Sequence, residues 1–207
     1  MNGLSKNLYR FRGYILAVLA IALCAMPAAT FSAHTATTTD FAIFETPAAI
    51  AATYAAIALC LAGILLRIRT RQFIGEHTRG KSHAADDIVT DGPYAYTRHP
   101  LYLSNTIIAI SAILFHLGFT LTALPFALAV IAFEVYLART ENRFLRDKFG
   151  DRWLQWTPGL RYARQRRNSA SAGPKRPFSR AFCADWATWT WLLLYYLLLL
   201  SRKTFLT

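Results

Sequence analysis

Five apolar blocks divide the chain, and they are solid runs rather than periodic stripes. Residues 13–33 and 47–66 carry no charge over 21 and 20 positions. At about 1.5 Å of rise per residue, each predicts a helix able to cross a hydrocarbon core of roughly 30 Å. Residues 101–137 are 37 long with Glu134 as their one formal charge. As a single helix they would run about 55 Å, nearly twice a bilayer, so the block has to fold back. Phe115-His116-Leu117-Gly118, with Pro125 beyond, offers the reversal and predicts two short helices in a tight hairpin. The last block, 186–200, has 15 residues framed by Asp185 and Arg202-Lys203. Its aromatics (Trp186, Trp189, Trp191, Tyr195, Tyr196) suit interfacial anchoring. It either crosses the bilayer thinly or lies along it. The pattern predicts an all-α integral membrane protein with about five membrane helices.

Beyond residue 137 the pattern becomes amphipathic. Leu137, Glu141, Phe144, Leu145 and Phe149 fall on one stripe at helical spacing, so a helix continues out of the membrane and ends near Gly150. Glu141 sits within that apolar face. Glu134 lies two turns earlier on nearly the same face, at a depth where a carboxylate is costly unless paired. Two inward carboxylates opposite a segment ending in Arg98-His99-Pro100 predict a polar pocket at the membrane surface. The competing reading is a structural charge network, with Glu141 paired to Arg98 or a neighbouring arginine.

Charge then orients the helices. The net charge is +12 over 207 residues, and its placement argues against nucleic-acid binding. Lys6, Arg10 and Arg12 precede the first block, whereas residues 34–46 contain no Lys or Arg. Six basic residues lie from Arg67 to Arg98 and twelve from Arg139 to Arg180. That asymmetry predicts a cytoplasmic N-terminus and cytoplasmic long loops, with anionic lipids as partners. Residues 28–33 resemble a signal cleavage site, although the apolar run before them is long for a signal peptide. Cys24, Cys60 and Cys183 have neither metal nor disulfide spacing and read as structural, so no metal site is expected. His77, Arg79 and His83 read as solvated loop residues. Three regions follow: membrane helices over 1–66, a core over 67–159, and a basic linker with the last apolar block over 160–207. Pro, Gly and small residues mark the linker.

Two stretches then carry a specific signal. "GPYAYTRHPLY", from Gly92 to Tyr102, and "ENRFLRDKFGDRWLQW", from Glu141 to Trp156, occur in this order on either side of the hairpin. They resemble the paired signatures of the isoprenylcysteine carboxyl methyltransferase family, which also includes relatives of phospholipid N-methyltransferases. The resemblance covers about residues 86–156. It implies an S-adenosylmethionine-dependent methyltransferase whose cofactor pocket opens at the cytoplasmic face, with a membrane lipid or lipid-linked acceptor. Carried over position by position, Ile88, Val89 and Tyr94 would line the cofactor, and His99, Pro100, Leu101 and Tyr102 would wrap it. Ser104 and Asn142 stand at further signature positions. Glu141 would engage the cofactor's polar end, and by their chemistry Arg98 or His99 can donate to its carboxylate. Methyl transfer needs alignment and a desolvated nucleophile, so the lack of a nucleophilic triad is no obstacle.

The departures bear on the acceptor. The second glutamate of the family signature is Asn142 here, and a signature glycine is Ser104. Where the resemblance implies a substrate-handling arginine, one turn before Glu141, this chain has Leu137. The nearest arginine is Arg139, the candidate for that task although it falls on another face. This weakens the case for an isoprenylcysteine-type carboxylate without touching the cofactor. Two other classes stay open at this stage: an NADPH-dependent reductase of the sterol reductase type, which has a similar Arg-His-Pro-x-Tyr element, and a non-catalytic membrane protein of the same fold.

Overall fold

The computed structural model describes residues 11–26, 47–74, 88–156, 158–159 and 176–205. The cleavage-like residues 28–33, the loop residues His77, Arg79 and His83, and most of the basic linker lie outside that set. The described residues are all-helical, without a strand. The helices are α1 (Arg12–Ala25), α2 (Pro47–Phe73), α3 (Pro100–Leu117), α4 (Ala123–Phe149), α5 (Asp151–Gln155), α6 (Phe178–Cys183) and α7 (Trp186–Phe205), with a 3-10 turn at Gly92–Ala95. Three stretches are long and apolar enough to cross a membrane: Ile50–Phe73, Pro100–Leu117 and Ala123–Phe149. A shorter apolar helix covers Tyr14–Ala25.

The helices alternate in direction. The end of α1 packs at the end of α3 and the start of α4, where Leu23, Ile113, Leu117, Ala123 and Val130 form one buried cluster. His116 is fully buried there, and its Nε2 donates to the Met26 carbonyl at 3.0 Å, satisfying one of the carbonyls that a helix end leaves open. The predicted hairpin is present: α3 stops at Gly118, whose φ of 62° is open to glycine at no steric cost, and α4 starts at Ala123. α2 runs antiparallel to α3, so that Arg67 meets Asn105 and Phe73 meets Gly92 near the start of α3.

Packing between α2 and α3 rests on small residues. Ala52, Ala56, Thr70, Ser104 and Ser111 have no exposed surface. A Cβ on Gly63 would stand 2.7 Å from the Ile108 side chain. Without a hydrophobic drive between helices in lipid, such close backbone approach is what holds a pair together. Large apolar side chains instead point outward, with Leu61, Leu65, Leu128 and Leu193 all more than half exposed. Polar interior and apolar exterior are the arrangement expected of a lipid-embedded bundle.

The structure extends the sequence reading at two places. The second apolar block ends at Leu66, yet α2 continues to Phe73, so Arg67 is a buried helical residue rather than part of the polar loop. The reason is Asp185, just before α7. Its carboxylate lies 3.0 Å from Arg67 Nε and 2.9 Å from Arg71 Nε, and Arg71 Nη2 donates to its second oxygen at 2.9 Å. Burial works against the Asp185 charge, but the Arg71 hydrogen bonds and the Arg67 charge hold its carboxyl below the ordinary range. The last block is the second place. From Asp185, α7 runs beside α3, and Tyr195 donates to the Ala112 carbonyl at 3.1 Å. Tyr196 packs edge-on against Phe115 with centroids 5.2 Å apart. Both helices therefore advance together through the bundle. The 20 residues of α7 span about 30 Å, although α7 is not among the three stretches apolar enough to cross a membrane.

Candidate active site at the start of α3

The site begins with backbone. Gly92 takes φ 60°, and a Cβ there would stand 2.5 Å from the Phe73 ring, so only glycine lets the turn lie against the end of α2. Pro93 to Ala95 are buried in the 3-10 turn. His99 then caps α3 with Pro100 at its first position, where a proline removes no intrahelical bond. These local rules place Tyr94, Arg98, His99 and Tyr102 around one helix start, which faces the emerging half of α4.

There the two signatures meet. His99 Nε2 donates to Asn142 Oδ1 at 2.9 Å. The other ring nitrogen, Nδ1, lies 3.7 Å from Glu141 Oε2. The Tyr102 ring sits beside the imidazole at 5.6 Å. Tyr94 is buried, and its hydroxyl is pushed well above the usual tyrosine range, first by burial and then by the Glu141 charge, with Arg71 acting in the opposite sense. Tyr94 thus stays a neutral hydrogen-bonding group beside a carboxylate.

Arg98 takes a different place from the one expected of an ion-pair partner. It donates to the Trp156 carbonyl, and its guanidinium lies 5.1 Å from the Trp153 ring centroid and 5.9 Å from that of Trp156. Cation–π contact and a carbonyl acceptor tie α5 to the start of α3. Its Nε is buried without a hydrogen-bond partner among the described residues. The imidazole beside Glu141 is that of His99.

The other expected residues divide into two groups. Ile88, Val89 and Leu101 pack with Ile74, Tyr94, Trp153 and Trp156 in one apolar cluster beneath the turn. Pro100 and Ser104 are buried, and Ser104 donates to the Leu101 carbonyl at 2.7 Å. Arg139 is exposed on α4, and Leu137 is buried. Glu134 is buried, with Arg67 among the charges acting near it. Trp153 and Trp156 were not singled out from sequence. Their spacing after Phe149-Gly150 was the available signal, since α5 turns both indoles back under Arg98.

An open cleft of about 190 Å³ adjoins this cluster, lined by Arg98, Asn142, Arg143, Arg146, Trp153 and Leu154. Of the expected residues it takes in Arg98 and Asn142. It is smaller than a typical ligand pocket of roughly 300–1,000 Å³. Its basic lining comes from Arg98, Arg143 and Arg146, and it reaches the His99 partner Asn142.

Residues 51–152, just under half of the chain, match the family model described as phospholipid methyltransferase. The segment is similar to phospholipid methyltransferase domains. The matched family is of the same superfamily as the isoprenylcysteine methyltransferases. The match runs from the first turns of α2 to the start of α5, so it takes in the helix start at His99, both carboxylates of α4 and the Arg67–Arg71 pair. It supports methyl transfer as the chemistry of this helical core and an integral membrane setting. Neither a curated protein nor a solved structure matches the chain.

Proposed function

We propose that this protein transfers the methyl group of S-adenosylmethionine to a membrane lipid, at the junction of the α3 start and the emerging half of α4. The observation that carries the reading is His99 held between Asn142 and Glu141, which joins the two sequence signatures inside the matched domain. The cofactor supplies an activated methyl on a sulfonium.

The donor set fits such a molecule. Glu141, whose side chain is 32% exposed, can accept from an ammonium or from ribose hydroxyls. Arg98 has a buried Nε still free to donate, and the basic rim beyond it favours a carboxylate. His99 is oriented from both sides, and the apolar cluster under Tyr94 keeps water from this end of the site. In this reading Ile88, Val89, Tyr94, Pro100, Leu101, Tyr102 and Ser104 shape the cofactor's bed, while Arg98, Glu141 and Arg139 are the polar groups that act. The family description names phospholipids, and buried Leu137 leaves no cation at the place expected to serve an isoprenylcysteine carboxylate. A lipid headgroup is thus the favoured acceptor.

S-adenosylhomocysteine is expected to stabilise the detergent-solubilised protein. At a hundredfold excess over Kd the gain is about 2.7 kcal/mol, read as a rise in melting temperature. NADPH serves as the control. A rise with NADPH and none with S-adenosylhomocysteine would turn the reading over to a reductase.

The arginine asymmetry favours a cytoplasmic position for this end of the bundle. Cys183 is exposed beside the site end, and Phe119 is exposed at the hairpin tip on the opposite end. A membrane-impermeant maleimide added to intact cells should label a Phe119→Cys variant and spare native Cys183. Labelling of Cys183 alone would reverse the orientation.

A further inference from the structure

The matched domain contains an anion site that no part of the methyl-transfer reading uses. Arg67 and Arg71, one helical turn apart on α2, converge on the Asp185 carboxylate. Asn105 of α3 accepts from Arg67 on the other side. Both guanidiniums are largely shielded, with side chains 10% and 13% exposed. The pair lies in the last two turns of an apolar span, the depth at which lipid headgroups meet a membrane protein. The arginines belong to the matched segment, whereas the carboxylate comes from beyond it.

We propose that Arg67 and Arg71 bind the phosphodiester of the acceptor lipid, and that Asp185 is the internal anion that occupies the pair when no lipid is bound. A phosphodiester presents two unesterified oxygens sharing one negative charge. A carboxylate presents the same fork with the same charge, so one can replace the other on two guanidiniums without a change in net charge. Leaving the pair empty is not an alternative, because uncompensated charges at this burial are strongly unfavourable. Exchange, rather than simple opening, is therefore the accessible path.

Position supports the assignment. The end of α2 that carries Arg71 lies against the turn that carries Tyr94, and Arg71 and Glu141 both act on that tyrosine's hydroxyl. A lipid phosphate on Arg71 would therefore lie close to the turn that leads into His99. Asp185 itself sits at a joint, with Thr188 and Trp189 donating backbone N–H groups to its carbonyl as α7 begins. Its movement would carry the first turn of α7 away from α2.

The proposal rests on the methyltransferase reading, and its test separates the two. A spin label on native Cys183, exposed two residues from Asp185, reports the joint in the full chain. Dihexanoylphosphatidylcholine is expected to mobilise the label, dihexanoylglycerol, which lacks phosphate, is not, and inorganic phosphate is at most a weak competitor. Arg71→Gln should raise the concentration of phosphatidylcholine needed by roughly tenfold or more. Asp185→Asn, which keeps the shape and drops the charge, should lower it severalfold and leave S-adenosylhomocysteine affinity unchanged. No response to the phosphatidyl lipid, or an equal response to dihexanoylglycerol, overturns the anion site while leaving cofactor binding intact. A response to inorganic phosphate alone removes the lipid from the proposal. If Asp185→Asn does not fold, the wild-type and Arg71→Gln titrations decide.

Discussion

Glu141→Gln is expected to weaken S-adenosylhomocysteine binding by roughly 10- to 150-fold. The change keeps the size of the side chain and removes its charge. A hydrogen bond to a charged group contributes about 1.5–3 kcal/mol, which converts to that range. Glu141 faces His99 at 3.7 Å and is one-third exposed, so a structural pair there contributes little to folding by comparison. Calorimetry on wild type and variant at matched folded fraction is the measurement. A difference below about twofold would make Glu141 a structural partner of His99 and remove the centre of the proposed site. Asn142→Glu should be tolerated in the same assay, although it replaces the oxygen that now accepts from His99 with a charged one.

Gly92→Ala is expected to be the most damaging single methyl group in the molecule. A non-glycine residue held at φ 60° costs roughly 1–3 kcal/mol when its surroundings fix the conformation. The added Cβ also meets three Phe73 ring atoms between 2.5 and 2.7 Å. Forcing that ring aside adds about 1–3 kcal/mol of overpacking. The turn carries Tyr94 and leads into His99, so the loss should appear twice: as a lower unfolding midpoint and as weaker cofactor affinity in the fraction that remains folded. Phe73→Leu in the Gly92→Ala background should recover part of both. Wild-type stability for Gly92→Ala would mean that the turn does not rest on α2 in solution.

Much of this architecture was legible in the sequence because membranes impose length. A 37-residue apolar run has one practical solution, and Gly118 marks where the chain takes it. The emergence of α4 was legible too, since Arg139, Glu141 and Arg143 begin where the apolar run stops and Gly150 ends the helix. At the site, the two signatures indicated that Arg98 and His99 face Glu141, and the structure divides that pair. His99 turns to Asn142 and Glu141, while Arg98 stacks on Trp153 and Trp156. No local pattern distinguishes the two, because the choice depends on where a five-residue helix returns after Gly150. The Arg67–Arg71–Asp185 cluster was hidden for the same reason on a larger scale. An arginine after an apolar block reads as the start of a loop, and only a carboxylate 118 residues away makes it an interior group.

That separation sets an order of assembly during synthesis. Ribosomes add about 5–20 residues per second, so Arg67 enters the membrane on the order of ten seconds before Asp185 is made. Asn105 arrives first, and α3 and α2 can pair while the arginines still face lipid headgroups. The carbonyl of Met26 likewise waits for His116, 90 residues on. A nascent chain is therefore unfinished at the Met26 end until α3 is made, and at the Arg67 end until Asp185 and α7 follow. Ribosome stalling or truncation ahead of residue 185 should yield a chain that is inserted in the membrane yet recognised by quality-control proteases.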